Sequence, residues 1–256
     1  MKLKDKVAIV VGGASGIAKA SSKLLAQEGA KVVIADIDIE NAEKVADEIK
    51  SMGYEATAIK VDMTKEEEAY AMVKAVLEKY GQIDILANIA GGSVGKYIRE
   101  KQTPFAESTK EEWDKILDVN LTGPRNCTRA VIHHMMERGS GRIVNFSSMA
   151  GVQGIGNVVD YSAAKAGVIA FTQGLAQEMA PYGINVNCIA PSGVLTERIQ
   201  AFAERMWQQQ REEGGRGMDT SKLARPEELA ATVLFLVSDD SSHMSGQVIR
   251  FSGAGS

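Results

Sequence analysis

Seven short apolar runs rich in β-branched residues punctuate the chain, at 7–11, 31–35, 56–61, 83–87, 142–146, 184–189 and 247–251. Most are apolar at successive positions rather than alternate ones, the pattern of strands covered on both faces. Between them lie longer segments with helical apolar spacing, 17–28, 39–52, 65–80, 110–136, 163–180 and 226–238. Gly29, Gly53, Gly81, Gly139 and Gly183 follow five of these segments, where a chain leaving a helix commonly turns left-handed. This alternation predicts an α/β chain with one doubly wound parallel sheet of about seven strands and helices on both faces. Two connections interrupt it, 91–109 and 196–221. A stretch as long as the second is usually functional. Its Gly214, Gly215 and Gly217 permit large backbone changes, and its Met206 and Trp207 are able to exclude water, so it predicts a lid over a substrate.

The length of 256 residues suits a single α/β domain over 1–256. A hydrophobic share of 45% with 24% charged residues gives ample material for a core. The net charge of −4 argues against a nucleic-acid partner. Two cysteines, Cys127 and Cys188, exclude a disulfide framework and read as buried thiols of a reducing compartment. Three histidines leave little material for a metal centre, and none is expected. No run reaches 18 apolar residues and no signal segment is visible, so the expectation is a cytoplasmic protein with no membrane partner.

The first run leads into Gly12-Gly13-Ala14-Ser15-Gly16-Ile17-Ala18 and then at once into a helix. Glycines in such a turn let the backbone approach a pyrophosphate, and the helix start supplies amide donors. Gly12, Ser15, Gly16 and Ile17 are therefore candidates for a dinucleotide cradle. Asp36 closes the second run. It either accepts from both hydroxyls of an adenosine ribose or caps the turn into the next helix. In the first role it repels a 2′-phosphate, and Ser15 offers no cation to hold one, so NAD is favoured over NADP. Asp62 and Met63 close the third run; Asp62 either accepts from an adenine amino group or caps a helix starting at Thr64. Asn88, Ala90 and Gly91 follow the fourth run and include small residues against which a cofactor can lie.

Two further strings carry chemistry: Asn145-Phe146-Ser147-Ser148 at the end of the fifth run, and Tyr161-Ser162-Ala163-Ala164-Lys165 in the next helix. Tyr161 and Lys165 are one helical turn apart and share a face. An ammonium there favours the phenolate, which can take a proton from an alcohol near neutral pH. Ser148, at the end of a neighbouring strand, can bond the same substrate oxygen.

With these motifs in this order the whole chain resembles the short-chain dehydrogenases/reductases, which have a Rossmann fold of about this length. The resemblance extends to Val119-Asn120-Leu121-Thr122-Gly123, to Pro191-Ser192-Gly193-Val194-Leu195-Thr196, and to Arg225-Pro226-Glu227-Glu228 with Ser245-Gly246-Gln247. It implies an NAD-dependent interconversion of a secondary alcohol and a ketone by a tetrad of Asn120, Ser148, Tyr161 and Lys165. Tyr161 would be the acid/base, and Ser148 would hold the substrate oxygen. Lys165 would also bind the nicotinamide ribose, and Asn120 would hold a water that links Lys165 to solvent. Pro191, Val194 and Thr196 would lie at the nicotinamide. Val11, Ala18, Ile89 and Ser192 depart from the family pattern, which implies an intact fold with altered packing at the first turn. Members that have become non-catalytic dinucleotide sensors usually lose the tyrosine or lysine, and this chain keeps all four residues.

Candidates for the substrate pocket are Ser93, Val94, Ser148, Met149, Gln153, Val158, Tyr161, Ser192, Met206 and Trp207. Lys96, Arg99 and Lys101 in the 91–109 connection either face a solvated loop or pair with an anionic substrate. The resemblance further implies a homotetramer built through the helices at 110–136 and 163–180 and through the last strand with the helix before it.

Overall fold

The protein is described by a computed structural model over residues 1–197, 199–201 and 220–252. Seven strands form one parallel sheet: β1 Val7–Val11, β2 Lys31–Asp36, β3 Ala56–Lys60, β4 Ile85–Asn88, β5 Gly141–Phe146, β6 Ile184–Pro191 and β7 Val248–Phe251. Their order is β3-β2-β1-β4-β5-β6-β7. All seven apolar runs are thus strands, with ends displaced by up to a few residues.

Helices cover both faces because successive side chains of each strand point to opposite sides. Ala8, Val10, Val32, Ile34, Val144 and Phe146 pack with α1 (Gly16–Gln27), α2 (Ile39–Ser51) and a helix at Pro226–Val237. Ile9, Val11, Val33, Leu86, Ile143 and Val186 pack with α3 (Glu66–Tyr80) and with helices at Gly123–Arg138 and Val159–Met179. Cys127 and Cys188 are free and buried, and burial pushes their thiols up to about 12 and about 11. No helix among the described residues is long and apolar enough to cross a membrane.

The segment 110–136 is not one helix. It divides into α4 (Lys110–Leu117), a π-helical turn at Asp118–Thr122 and α5 (Gly123–Arg138). Two features lie at the break: Pro124 at the start of α5 has no N–H to continue the i→i−4 ladder, and Asn120 Nδ2 donates to Ile116 O at 3.0 Å, the carbonyl one turn back. The ladder then closes one residue wider, with Gly123 N–H donating to Asp118 O. Such π turns are frequent at functional sites. A short α6 (Met149–Gln153) follows β5, α7 (Val159–Met179) starts earlier than its apolar spacing indicates, and α8 is Pro226–Val237. Most of the expected lid, including Met206, Trp207, Gly214, Gly215 and Gly217, lies outside the described residues.

β1 pairs with β2 on one side and β4 on the other. The chain reverses its winding direction there, which opens a crevice at the carboxyl ends of the strands, where ligands of such sheets bind.

Candidate active site

Two clefts open at that edge. The larger, of about 740 Å³, is lined by Gly12, Ser15, Gly16 and Ile17, by Asp36, Asp62 and Met63, and by Ala90, Gly91 and Thr196, all residues expected to hold a dinucleotide. The glycine turn is tied across the sheet. Gly12 N–H donates to Ala35 O at 2.8 Å, while Ile89 and Ala90 N–H both donate to Val11 O. The first bond ties the turn to β2, and the other two tie the end of β1 to the chain leaving β4 although Val11 and Ile89 lack polar side chains. Gly12 has φ +82°, and a Cβ on it would come within 2.8 Å of Ala90, so no larger residue fits there.

Asp36 does more than end a strand. Its Oδ2 accepts from Ala14 N–H at 3.1 Å and its Oδ1 from Asp38 N–H at 2.9 Å, so it braces the glycine turn and its own. Burial pushes its carboxyl above the ordinary value, against the pull of those N–H donors. Each carboxylate oxygen still has acceptor capacity for a ribose hydroxyl. Asp62 does not cap α3, which begins at Glu66 with Lys65 at its N-cap; its Oδ1 instead closes the turn ahead of the helix, accepting from Thr64 N–H at 3.1 Å and from Thr64 Oγ1 at 2.7 Å. Asn88 differs from expectation, because its side chain is buried away from the cleft. Its Nδ2 donates to Asn145 Oδ1 at 2.9 Å and Thr128 Oγ1 at 3.1 Å, cross-linking β4 to β5 and α5.

Two features of the larger cleft fit a nicotinamide dinucleotide. Thr196 Oγ1 is buried without a hydrogen-bond partner among the described residues, as expected of a group that meets a ligand amide. Beside it, Gly16 N–H donates to Glu197 Oε2 at 3.1 Å, so the start of α1 already holds an anion.

The smaller cleft, of about 490 Å³, is lined by Ser93, Ser148, Met149, Gln153, Val158, Tyr161 and Ser192, all expected there. Gln102, Ile155, Gly193 and Ser252 line it too and were not expected. Val94, Pro191 and Val194 line neither cleft; Val194 is buried and bridges to Ala224. Ser148 caps α6, its Oγ accepting from Ala150 N–H at 3.2 Å, which leaves its O–H to be donated.

Lys165 lines neither cleft but lies beside a residue of each, Gly91 and Tyr161. It is 2% exposed, its Nζ donates to Phe146 O at 2.8 Å, and it lies 5.7 Å from the centre of the Tyr161 ring. A Cβ added to Gly91, in the larger cleft, would come within 3.1 Å of Lys165 Nζ and 2.6 Å of Asn120 Oδ1. Burial pushes the ammonium down to about 8. Ser147 Oγ donates to Lys165 O at 2.7 Å and seats α7 on the end of β5. Asn120 is fully buried and clamps Gly92: its Oδ1 accepts from Gly92 N–H at 2.9 Å and its Nδ2 donates to Gly92 O at 3.0 Å.

The cations of the 91–109 connection divide. Lys96 is exposed on the wall of the larger cleft, with Nζ 4.8 Å from the centre of the Tyr97 ring. Lys101 is exposed. Arg99 takes neither of the two roles open to it, solvated loop cation or partner of an anionic substrate, because it is committed to a buried pair with Asp160. Among the described residues no cluster of three or more histidine, cysteine or acidic side chains is able to hold a metal ion.

Comparison with known proteins agrees with this geometry. Residues 6–207 match the family model described as short chain dehydrogenase. The chain is 36% identical over 253 residues to the 3-oxoacyl-(acyl-carrier-protein) reductase of Thermotoga maritima, covering 99% of this chain and 98% of that one. It is 39% identical over 257 residues to the NAD-dependent glycerol dehydrogenase of Listeria innocua, covering 98% and 94%. The crystal structure of levodione reductase superposes with a TM-score of 0.86 at 32% identity, covering 98% of each chain. A parallel sheet that reverses beside a glycine turn, with Tyr161 and Lys165 at its carboxyl edge, has the same explanation as these matches: the chain belongs to the short-chain dehydrogenase family of oxidoreductases.

Proposed function

We propose that the protein interconverts a secondary alcohol and a ketone with NAD(H), using Tyr161 as general acid/base. The observation that carries this reading is the position of Lys165, a buried ammonium between Gly91 of the larger cleft and the Tyr161 ring of the smaller one. A bound nicotinamide ring supplies the two-electron acceptor or donor. The residues of the chain hold the reacting oxygen and move its proton. Ser148 donates its O–H to the substrate oxygen, and Tyr161, as phenolate, takes the alcohol proton; in the reverse direction its O–H returns a proton to the ketone oxygen. Lys165 favours the phenolate through its charge, and positioned proton transfer of this kind contributes about 10²–10⁴-fold in rate. Asn120 serves by holding Gly92 and the π turn against Lys165.

For the dinucleotide, Gly12, Gly16 and Ile17 would cradle the pyrophosphate, Asp36 the adenosine ribose, and Thr196 the carboxamide. The acidic Asp36 supports NAD, as does similarity to a relative named NAD-dependent. A homotetramer is the expected assembly; Phe235 on α8 is an exposed large apolar side chain able to join such an interface, and light scattering tests it. The function is tested by following NADH formation across a panel of secondary alcohols and NADH consumption across the matching ketones. Turnover with NAD exceeding that with NADP supports the reading. A wild type that uses NADP equally well contradicts the NAD assignment.

A further inference from the structure

Arg99 and Asp160 form a buried ion pair outside the four residues assigned to the chemistry. Arg99 Nη1 donates to Asp160 Oδ2 at 2.6 Å and Nη2 to Oδ1 at 3.1 Å, and each side chain is 6% exposed. Burying two charges is costly, and a bidentate fork with its remaining donors and acceptors used is the geometry that offsets the cost. Here they are used. Arg99 Nε donates to Ser93 O at 2.8 Å, and Asp160 Oδ1 also accepts from Tyr161 N–H at 2.7 Å. One pair therefore ties Ser93, on the wall of the smaller cleft, to the first turn of the helix that carries Tyr161.

The chain between Ser93 and Arg99 has a second duty. Gly95 N–H donates to Arg99 O and Ile98 N–H to Gly95 O, both at 2.9 Å, which folds the segment back on itself. Gly95, Lys96, Tyr97 and Ile98 then form part of the wall of the larger cleft. At its other end the segment is held by the Asn120 clamp on Gly92. A single stretch, 92–99, thus borders both clefts and is anchored at one end by Asn120 and at the other by Asp160.

We propose that Arg99–Asp160 is a positioning pair that fixes the 92–99 segment as the shared wall of both clefts and locks it to the Tyr161 turn. Dinucleotide and substrate are then set against Tyr161 by one anchored element. The inference rests on the function proposed above for what the two clefts hold, but the anchoring itself is measurable without any ligand.

The test compares wild type with Arg99→Leu and with Arg99→Leu/Asp160→Asn. The single variant leaves a buried carboxylate unpaired and is expected to lose stability. The double variant has no unpaired charge, and the side-chain amide oxygen introduced at position 160 is still able to accept from Tyr161 N–H, so its unfolding temperature should return most of the way to wild type. Its tie to Ser93 is nevertheless gone. In the ligand-free double variant, amides of 92–99 should exchange with deuterium at least about tenfold faster than in wild type. The dissociation constant for NAD, measured by calorimetry, should rise about threefold to tenfold, and kcat at saturating NAD and alcohol should fall at least about tenfold. A pair that only stabilises the fold predicts otherwise: a double variant restored in stability would exchange, bind and turn over like wild type, and that result overturns the inference. Failure of the NAD–alcohol reading would show in the wild type itself, while the exchange comparison would still decide the anchoring.

Discussion

Lys165 carries its charge where water does not reach, and this has a thermodynamic signature separate from activity. Burial pushes its ammonium from the ordinary 10.5 down to about 8. At neutral pH that gap corresponds to roughly 3 kcal/mol of lost stability, because the native state must bury a charge that the unfolded chain hydrates. The native value lies below the unfolded one, which sets the sign. Below about pH 8 both states are protonated and the full cost is present. Between about 8 and 10.5 the unfolded chain binds the extra proton, so raising the pH favours the native state. Above 10.5 both are neutral and the cost is gone. Lys165→Met removes the charge, and it also removes the donor to Phe146 O, leaving a buried carbonyl at a cost of about 1–3 kcal/mol. At pH 7 these opposing effects leave the variant between about neutral and ~2 kcal/mol more stable than wild type, although inactive. The pH difference is sharper, because the carbonyl cost does not titrate. From pH 7 to pH 10 the wild type should gain about 2–3 kcal/mol relative to Lys165→Met. Urea unfolding of both proteins at the two pH values, at one protein concentration, measures it. A stability difference that is the same at both pH values, or that moves against the wild type on raising the pH, refutes the reasoning.

Other consequences follow from the larger cleft. Asp36→Ala should narrow the preference for NAD over NADP by about tenfold in kcat/KM, and most of the change should come from weakened NAD use. The loss is expected because Ala14 and Asp38 N–H lose their acceptor along with the ribose; an unchanged NAD:NADP ratio would place the discrimination elsewhere. Glu197 holds the Gly16 N–H that a pyrophosphate oxygen would approach, so Glu197→Ala should tighten NAD binding by about twofold to fivefold in calorimetry. Weaker binding in that variant would mean that Glu197 supports the dinucleotide rather than competing with it.

The parts of this protein legible in its sequence are those governed by local pattern. Continuous apolar runs such as 31–35 and 184–189 announce buried parallel strands because sheet burial on both faces leaves no polar position to confuse the period. The glycine turn, Tyr161 and Lys165 are legible because their chemistry demands fixed short spacings. What the sequence does not display is pairing across distance. Arg99 and Asp160 are far apart in the chain, and nothing near either one signals the other, so Arg99 reads as a free cation at a pocket mouth. Asn88 reads as a cleft residue because it follows a strand, whereas its partners Asn145 and Thr128 come from β5 and α5. The π turn at Asp118–Thr122 is hidden because the apolar spacing of 110–136 runs through it undisturbed. Gly123-Pro124 marks where the helix restarts, while the reach of the Asn120 side chain to Ile116 O and to Gly92 shows only in the structure. Asp36 and Asp62 show a different case: each reads as a ligand acceptor or a cap, and in the structure each braces a turn ahead of a helix through backbone N–H groups, while Lys65, not Asp62, stands at the N-cap of α3.

In the proposed reaction Tyr161 moves the proton while other residues hold the dinucleotide. Tyr161→Phe removes a single oxygen from a partly exposed side chain at the edge of the smaller cleft and leaves the residues of the larger cleft in place. The most direct measurement is kcat of this variant with an alcohol that the wild type oxidises, taken together with its dissociation constant for NAD. The expected result is a fall in kcat of at least about a hundredfold with NAD affinity within about twofold of wild type. A Tyr161→Phe protein that retains more than about a tenth of wild-type kcat, or that loses activity only because it no longer binds NAD, contradicts it.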